Sequence, residues 1–418
     1  MNKNIILTIL SFLGLYLFAT GTSYAIFSFV VTPPNILNPG GQQTQQTQQT
    51  QQAQNSDLKA LIDNSGPKTE VCPMNGVKYS VTEKTAWEKK RPLMVMIENH
   101  EEARPQSGLS SADIVYETLA EGGITRFMGV FYCDAQAYEV IVGPIRSART
   151  YFLDWASEYG DYPLYTHVGG AHCEATTGEG CANGAKADAL GQIDKYGWGI
   201  YNDLNQFSIG YPTFWRDYER IGHTVATEHT MYSTTERLWN YAAKERGLTN
   251  VDEEGNSWDK EFVAWKFNDT AVTKGDIKTV YYNFWENSPA GDYSVSWAYD
   301  PNNNVYARSN AGKEHQDLNK KQTITVTNVI LMYSQESSAN DGYANNAHLL
   351  YGTIGNGKAV WFHDGQAEQI TWAKKSRTAR TKFYDKNNQE INFTPGKIWI
   401  SNVAIGNKSL DYGQKTAQ

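Results

Sequence analysis

Residues 5–31 are almost wholly apolar and uncharged, and no charged residue follows them until Asp57. At a helical rise of about 1.5 Å per residue this run reaches about 40 Å, more than the ~30 Å hydrocarbon core of a bilayer. A tilted single span is therefore expected over residues 1–31. Lys3 and the amino terminus are the positive charges on its N-terminal side, which predicts that everything after the span lies outside the cytoplasm. Ser23-Tyr24-Ala25 could serve as a signal-peptidase site, but the apolar run continues through 26–31, where a mature chain would normally be polar. An uncleaved anchor fits better. No cysteine follows closely enough for lipoprotein processing. Residues 32–67, with Pro33-Pro34, Asn38-Pro39-Gly40-Gly41 and a Gln/Thr tract at 42–54, have no apolar periodicity and read as a disordered stalk. Folding is thereby assigned to the chain beyond residue 67.

That remainder is long enough for two ordinary domains within a 418-residue chain. A net charge of −8 argues against a general nucleic-acid-binding surface. The 26 tyrosines and 12 tryptophans suit β-rich packing. From 68 to 250 strands and helices alternate. The stretch P-L-M-V-M-I-E (92–98) reads as a buried strand, 124–133 and 138–142 as a strand pair, and 163–168 as a further strand. Helices are expected at 148–159, 185–196 and 233–246, the last capped by Ser233 with Glu236 three residues on. From 251 to 405 the texture changes to short strand-like runs separated by turn chemistry such as His363-Asp364-Gly365. The expected fold class is α+β: a mixed α/β N-terminal domain (68–250), a mostly antiparallel β C-terminal domain (251–405) and a polar tail (406–418), behind an N-terminal transmembrane anchor.

Four cysteines, Cys72, Cys133, Cys173 and Cys181, lie in the first folded half, and an outside location permits disulfides. A Cys173–Cys181 bridge would close a short loop and contribute about 2–3 kcal/mol. A metal site drawn from His167, His172, Cys173 and Cys181 matches no standard zinc spacing and is the weaker reading. No metal or cofactor is expected.

Several segments resemble the YerB-like family of bacterial envelope proteins, whose biochemical function is unknown. They are Arg91-Pro92 leading into Met94-Val95-Met96-Ile97-Glu98-Asn99, Ala103-Arg104-Pro105-Gln106-Ser107-Gly108-Leu109, Ala112-Asp113-Ile114-Val115-Tyr116-Glu117, Glu121-Gly122-Gly123-Ile124-Thr125-Arg126-Phe127, Gly143-Pro144-Ile145-Arg146-Ser147-Ala148-Arg149 and His167-Val168-Gly169-Gly170. In the second half, Asn328-Val329-Ile330, Gly355-Asn356-Gly357-Lys358 and Pro395-Gly396-Lys397-Ile398-Trp399 look similar to the family's C-terminal domain. The resemblance covers about 91–403 and implies an envelope location and two domains. It supplies no reaction. The chain departs from the family in lacking a lipobox cysteine, and the insert around 173–209 is longer than expected.

The stretch 143–149 is the most informative for function. Glycine and proline end a strand, and then Arg146 and Arg149 open a predicted helix, against the sense of its dipole. Something negative, a ligand or buried carboxylates, is expected at this corner. Arg126 lies on the preceding strand. The functional reading gathers Arg126, Arg146 and Arg149 around a phosphate or carboxylate, which guanidinium binds bidentately. Glu117 or Glu121 would orient, and His167 or His229 would titrate. Arg216-Asp217 and Glu228-His229-Thr230 add later polar residues. The competing reading pairs the same arginines with Glu98, Asp113, Glu117 and Glu121 as a structural network. Ser147 could be a nucleophile with His167 as base, though a serine near a helix start is more often a cap. An arginine-bearing strand, a turn and Pro-x-Arg are loosely similar to the LytR-CpsA-Psr proteins, which attach polymers to the cell wall. The expected function is a membrane-anchored, extracytoplasmic protein binding an anionic cell-wall or lipid-linked ligand. An enzyme of cell-wall polymer metabolism at the same site is the alternative.

Overall fold

The long apolar run in P-L-M-V-M-I-E becomes strand β1 (Leu93–Glu98), in which every residue is buried. The computed structural model of the protein describes residues 58–172, 186–270, 273–285, 288, 290–341 and 348–413. Strands β2 (Ile114–Leu119) and β3 (Thr125–Phe131) are also buried throughout. Continuous apolar runs of this kind arise where a sheet is covered on both faces.

The remaining strands of this sheet are β4 (Leu164–His167), β5 (Asp203–Asn205), β6 (Asn328–Ser334), β7 (Gly355–His363), β8 (Gln366–Lys374), β9 (Lys382–Tyr384) and β10 (Ile398–Ala404). The ten strands lie in the order β9-β8-β7-β6-β10-β2-β3-β1-β4-β5. The join between the two sequence halves is parallel, with Ile398 opposite Ile114 and Ser401 opposite Glu117. The regions read as separate domains, 68–250 and 251–405, thus share one sheet, and residues 55–418 form one compact unit.

Because successive residues of a strand point to opposite faces, β2 serves two layers. Tyr116 stacks on Trp155 of helix α2 (Thr150–Ala156), with ring centroids 5.1 Å apart. Glu117 faces the other way, toward an antiparallel sheet ordered Lys313–Glu314, Val305–Asn310, Val295–Asp300, Thr279–Tyr282, Asp411–Gly413. Buried and part-exposed residues alternate along Val295–Asp300 and Val305–Asn310, as expected of a sheet with one covered face. Trp297 packs edge-on against Trp399 of β10. No helix occurs after residue 250 among the described residues.

Local chemistry sets the helix ends. Helix α1 (Val81–Trp87) carries a capping box between Ser80 and Glu83. Helix α3 spans Ala189–Lys195, α4 Gln206–Ile209 and α5 Thr235–Glu245. The cap of α5 is Thr234, not Ser233: Ser233 is still in the strand Met231–Thr234, opposite Val142, and its hydroxyl donates to the Thr213 carbonyl. Glu236 turns to Lys90 at 3.0 Å instead of closing a capping box. Helix α2 begins two residues later than its sequence suggests.

Two further expectations change. The tail at 406–418 contains the edge strand Asp411–Gly413, held because Tyr412 packs on Phe362. The end of the stalk is also engaged, since Leu61 N donates to Ala137 O and Ala60 bridges Tyr138. The disulfide joins Cys72 to Cys133, both fully buried. The bridge expected between Cys173 and Cys181 lies outside the described residues, as does the apolar run at 5–31. Among the described residues no helix is long and apolar enough to cross a membrane.

Candidate functional site

Beyond the short strand Ile141–Val142, residues 143–148 run extended and are pinned from several sides. Ile145 N donates to Met231 O at 2.7 Å, Arg146 N to Met96 O at 2.9 Å and Ala148 N to Gly169 O at 2.9 Å. Gly143 is required here: its φ is +145°, and a Cβ would sit 2.6 Å from a Tyr232 ring carbon. Arg149 caps α2 in extended geometry without a side-chain cap bond.

The negative partner of this corner is largely Glu121. Arg149 reaches Oε2 of Glu121 with Nε at 3.0 Å and Nη2 at 2.6 Å, and Arg126 reaches Oε1 at 2.7 Å. Arg126 also donates to the Ser147 carbonyl at 3.1 Å. Three of the expected ligand-binding residues therefore pair with one another. Burial works against the Glu121 charge, but Arg126 and Arg149 outweigh it and hold the carboxyl well below its ordinary value of 4.5. A carboxyl depressed in the fold contributes stability that is present above its unfolded pKa and lost as pH falls. Thermal melts are expected to show stability declining from about pH 4.5 downward. The share of that decline owed to this carboxyl is expected to be absent in Glu121→Gln. An unchanged profile in the variant would contradict this assignment.

Glu117 belongs elsewhere. It receives both bonds of the Arg308 Nη2 group, at 2.8 and 3.0 Å, and both side chains are fully buried. Trp399 Nε1 and Thr125 Oγ1 also donate to it, each at 3.0 Å. Arg308 lies over the Trp399 ring at 4.6 Å and donates to His315 Nδ1. His315 Nε2 donates to Gln106 Oε1 at 2.7 Å, which fixes the neutral tautomer. Burial, then Arg308 and Arg104, push its pKa well below 6.5. Arg308 and His315 carry no local motif. The signal that could have found Arg308 is the alternation of its strand, which turns it inward.

His167 lies beneath this corner with Nδ1 against the Gly169 carbonyl and Nε2 against Asp203, each at 2.6 Å. Neither ring nitrogen is free to serve Ser147 as a base. Ser147 also does not cap α2.

Arg146 differs from its neighbours. Among the described residues its partner is Glu98, with Nε 3.2 Å from Oε1 but not aligned as a hydrogen bond. The side chain is 27% exposed. It lines a cleft of about 680 Å³ with Ser147, Gly169, Gly170, Asn205, Phe207, Arg216 and Glu228. That volume suits a small ligand. Arg216 comes from the strand Trp215–Arg216, is exposed, and donates to Thr227 O and Thr230 Oγ1. Gly170 allows close approach, since a Cβ there would lie 2.8 Å from Leu190. Phe207 stands at the rim, 73% exposed. His229 joins the cleft indirectly, its Nδ1 donating to Glu98 Oε2 at 2.9 Å. Burial works against its protonation, and Glu98 outweighs burial, so its pKa lies above 6.5.

Comparison with known proteins relates both halves of the chain to one family. The model described as "Protein of unknown function (DUF3048) N-terminal domain" matches residues 80–249, and that of the C-terminal domain matches 282–400. The chain is 28% identical over 333 residues to "Putative lipoprotein YerB" of Bacillus subtilis (strain 168), covering 79% of this chain and 85% of the relative. The crystal structure of YerB from Bacillus subtilis superimposes with a TM-score of 0.63 at 23% identity, over 82% of this chain and all of that one. This last likeness shows the shared fold.

Proposed function

We propose that this chain, which belongs to the DUF3048 family of proteins of unknown function, is an envelope-associated binding protein that holds an anionic ligand in the Arg146–Arg216 cleft. Its partner would be a phosphate- or carboxylate-bearing cell-wall or lipid-linked molecule. The observation that carries this reading is the sorting of the arginines. Arg126 and Arg149 are neutralised by Glu121 and largely buried, whereas the Arg146 side chain is 27% exposed and lines the open cleft together with Arg216. Phe207 at the rim offers an apolar face to the uncharged part of the ligand. Residues 5–31 would tether the protein to the membrane with its folded part outside, in keeping with a relative whose name includes the word lipoprotein. Binding is preferred over catalysis because His167, the base an enzyme would need beside Ser147, has both ring nitrogens engaged.

Calorimetric titration with inorganic pyrophosphate at low salt tests the reading. Arg146→Ala and Arg216→Ala are each expected to weaken binding about 10- to 100-fold, the loss of charge-assisted hydrogen bonds worth about 1.5–3 kcal/mol. Lys386→Ala, at an exposed position in the turn after β9, the edge of the ten-stranded sheet opposite β5, is expected to leave binding unchanged. Equal affinity in all three variants would rule the cleft out.

A further inference from the structure

The loop after β1 and the short turn Thr227–His229 bring three metal-ligating side chains together beside the cleft, and sequence reasoning singled out only one of them. His100, Glu102 and His229 each place one ligand atom within 4.8 Å of the others'. His229 Nε2 is 3.5 Å from Glu102 Oε2, and the His100 and His229 rings stack with centroids 4.8 Å apart. We propose that His100, Glu102 and His229 form a binding site for a divalent transition-metal ion of the zinc class, with coordination positions left open.

Three features carry this. First, the donor set of two imidazoles and one carboxylate suits zinc and leaves a position for water or an exogenous ligand. Second, His229 is already held as metal-bound histidines are. Its Nδ1 donates to the buried carboxylate of Glu98 at 2.9 Å, which orients the ring and leaves Nε2 toward the other two side chains. Third, the partners can contract. Ligand atoms around tetrahedral zinc lie about 3.3 Å apart, given bonds of about 2.0–2.1 Å. Glu102 is exposed and His100 is half-buried, so both can close on the fixed His229. For both rings to aim a nitrogen at one ion, His100 has to turn out of its stack on His229 and exchange the 3.2 Å bond that its Nδ1 accepts from Glu102 N.

The site is distinct from the cleft but connected to it. Glu98 holds His229 through Oε2 and approaches Arg146 through Oε1. Glu228, next to His229 in the chain, lines the cleft. An ion here would place positive charge behind the cleft wall that Arg146 occupies. The proposal does not depend on the cleft binding anions.

Zinc titration of the metal-stripped full-length protein against a chromophoric chelator tests the site, with cobalt(II) absorption as a second readout. One equivalent of zinc is expected to bind, and cobalt is expected to show a d–d spectrum without a thiolate charge-transfer band. His100→Gln and Glu102→Gln, changes at residues that are not buried and so spare the fold, are each expected to weaken zinc binding at least about tenfold. Thermal melts without metal are expected to match those of the parent. Absence of stoichiometric zinc binding, a thiolate band, or parent-like affinity in both variants would overturn the site. Pyrophosphate titration of the metal-free protein reads the cleft separately, so the two ideas fail independently.

Discussion

Glu117→Ala is expected to lower the unfolding free energy by about 3–5 kcal/mol, because it strands the Arg308 guanidinium in a dry interior. Arg308 is fully buried and lies among Phe127, Trp297 and Trp399. With Glu117 gone, His315 offers it one neutral nitrogen, and among the described residues no other carboxylate is paired with it. Arg308→Ala should cost a similar amount through the orphaned carboxylate, with Trp399 Nε1 and Thr125 Oγ1 still pointing at it. Replacing both with apolar residues of similar volume, as in Glu117→Leu with Arg308→Met, should cost far less than the sum of the two single changes. Urea denaturation of the three variants measures this. A nearly additive double variant would mean that the pair is not the coupled unit described. The prediction matters for function because it would show the carboxylate of Glu117 committed to joining the two sheets.

Removing the Cys72–Cys133 bridge is expected to be comparably severe. The cysteines are 61 residues apart in sequence, and closing a loop of that length reduces the entropy of the unfolded chain by about 4 kcal/mol at 25 °C. The bridge also fixes the N-terminal hairpin, strands Lys68–Val71 and Lys78–Ser80, against the end of β3. Nearby, Asp113 collects N–H bonds from Tyr132, Cys133 and Asp134 and from the Asn75 side chain. A Cys72→Ser, Cys133→Ser variant should show a greatly lowered denaturation midpoint in the absence of reductant. An unchanged midpoint would mean that this end of the molecule is held by packing alone. The double variant is preferred to reductant, which would also reach the bridge expected between Cys173 and Cys181.

The strands were legible where burial is complete and local. The run P-L-M-V-M-I-E is β1, and the segments read at 124–133 and 163–168 contain β3 and β4. The corner at 143–149 was also legible as needing a negative partner, because two arginines beside a helix start oppose its dipole. Which partner each arginine takes was not legible. Glu121 is five residues from Arg126 but 28 from Arg149, and the choice depends on how β2, β3 and α2 pack. Glu117 and Arg308 are 191 residues apart, so no window of sequence contains both. The same distance problem hid the shared sheet. The change of texture after residue 250 is real, but β10 inserts parallel beside β2 from 284 residues away, and only the fold reveals that register. His100 and Glu102 escaped notice because their partner His229 arrives from a distant short helical turn, Thr227–His229. Arg216 was visible as a polar residue, and its place in the cleft came only with the strand that carries it.

Of the arginines gathered near 143–149, Arg126 and Arg149 pair with Glu121, and Arg146 is proposed to meet the ligand together with Arg216. A crystal structure of the protein soaked in inorganic pyrophosphate tests this most directly. The anion is expected in the cleft, bonded to Arg146 and Arg216, with the Glu121 ion pairs to Arg126 and Arg149 unbroken. Pyrophosphate bound to Arg126 or Arg149 in place of Glu121, or a cleft left empty at saturating pyrophosphate, would contradict it.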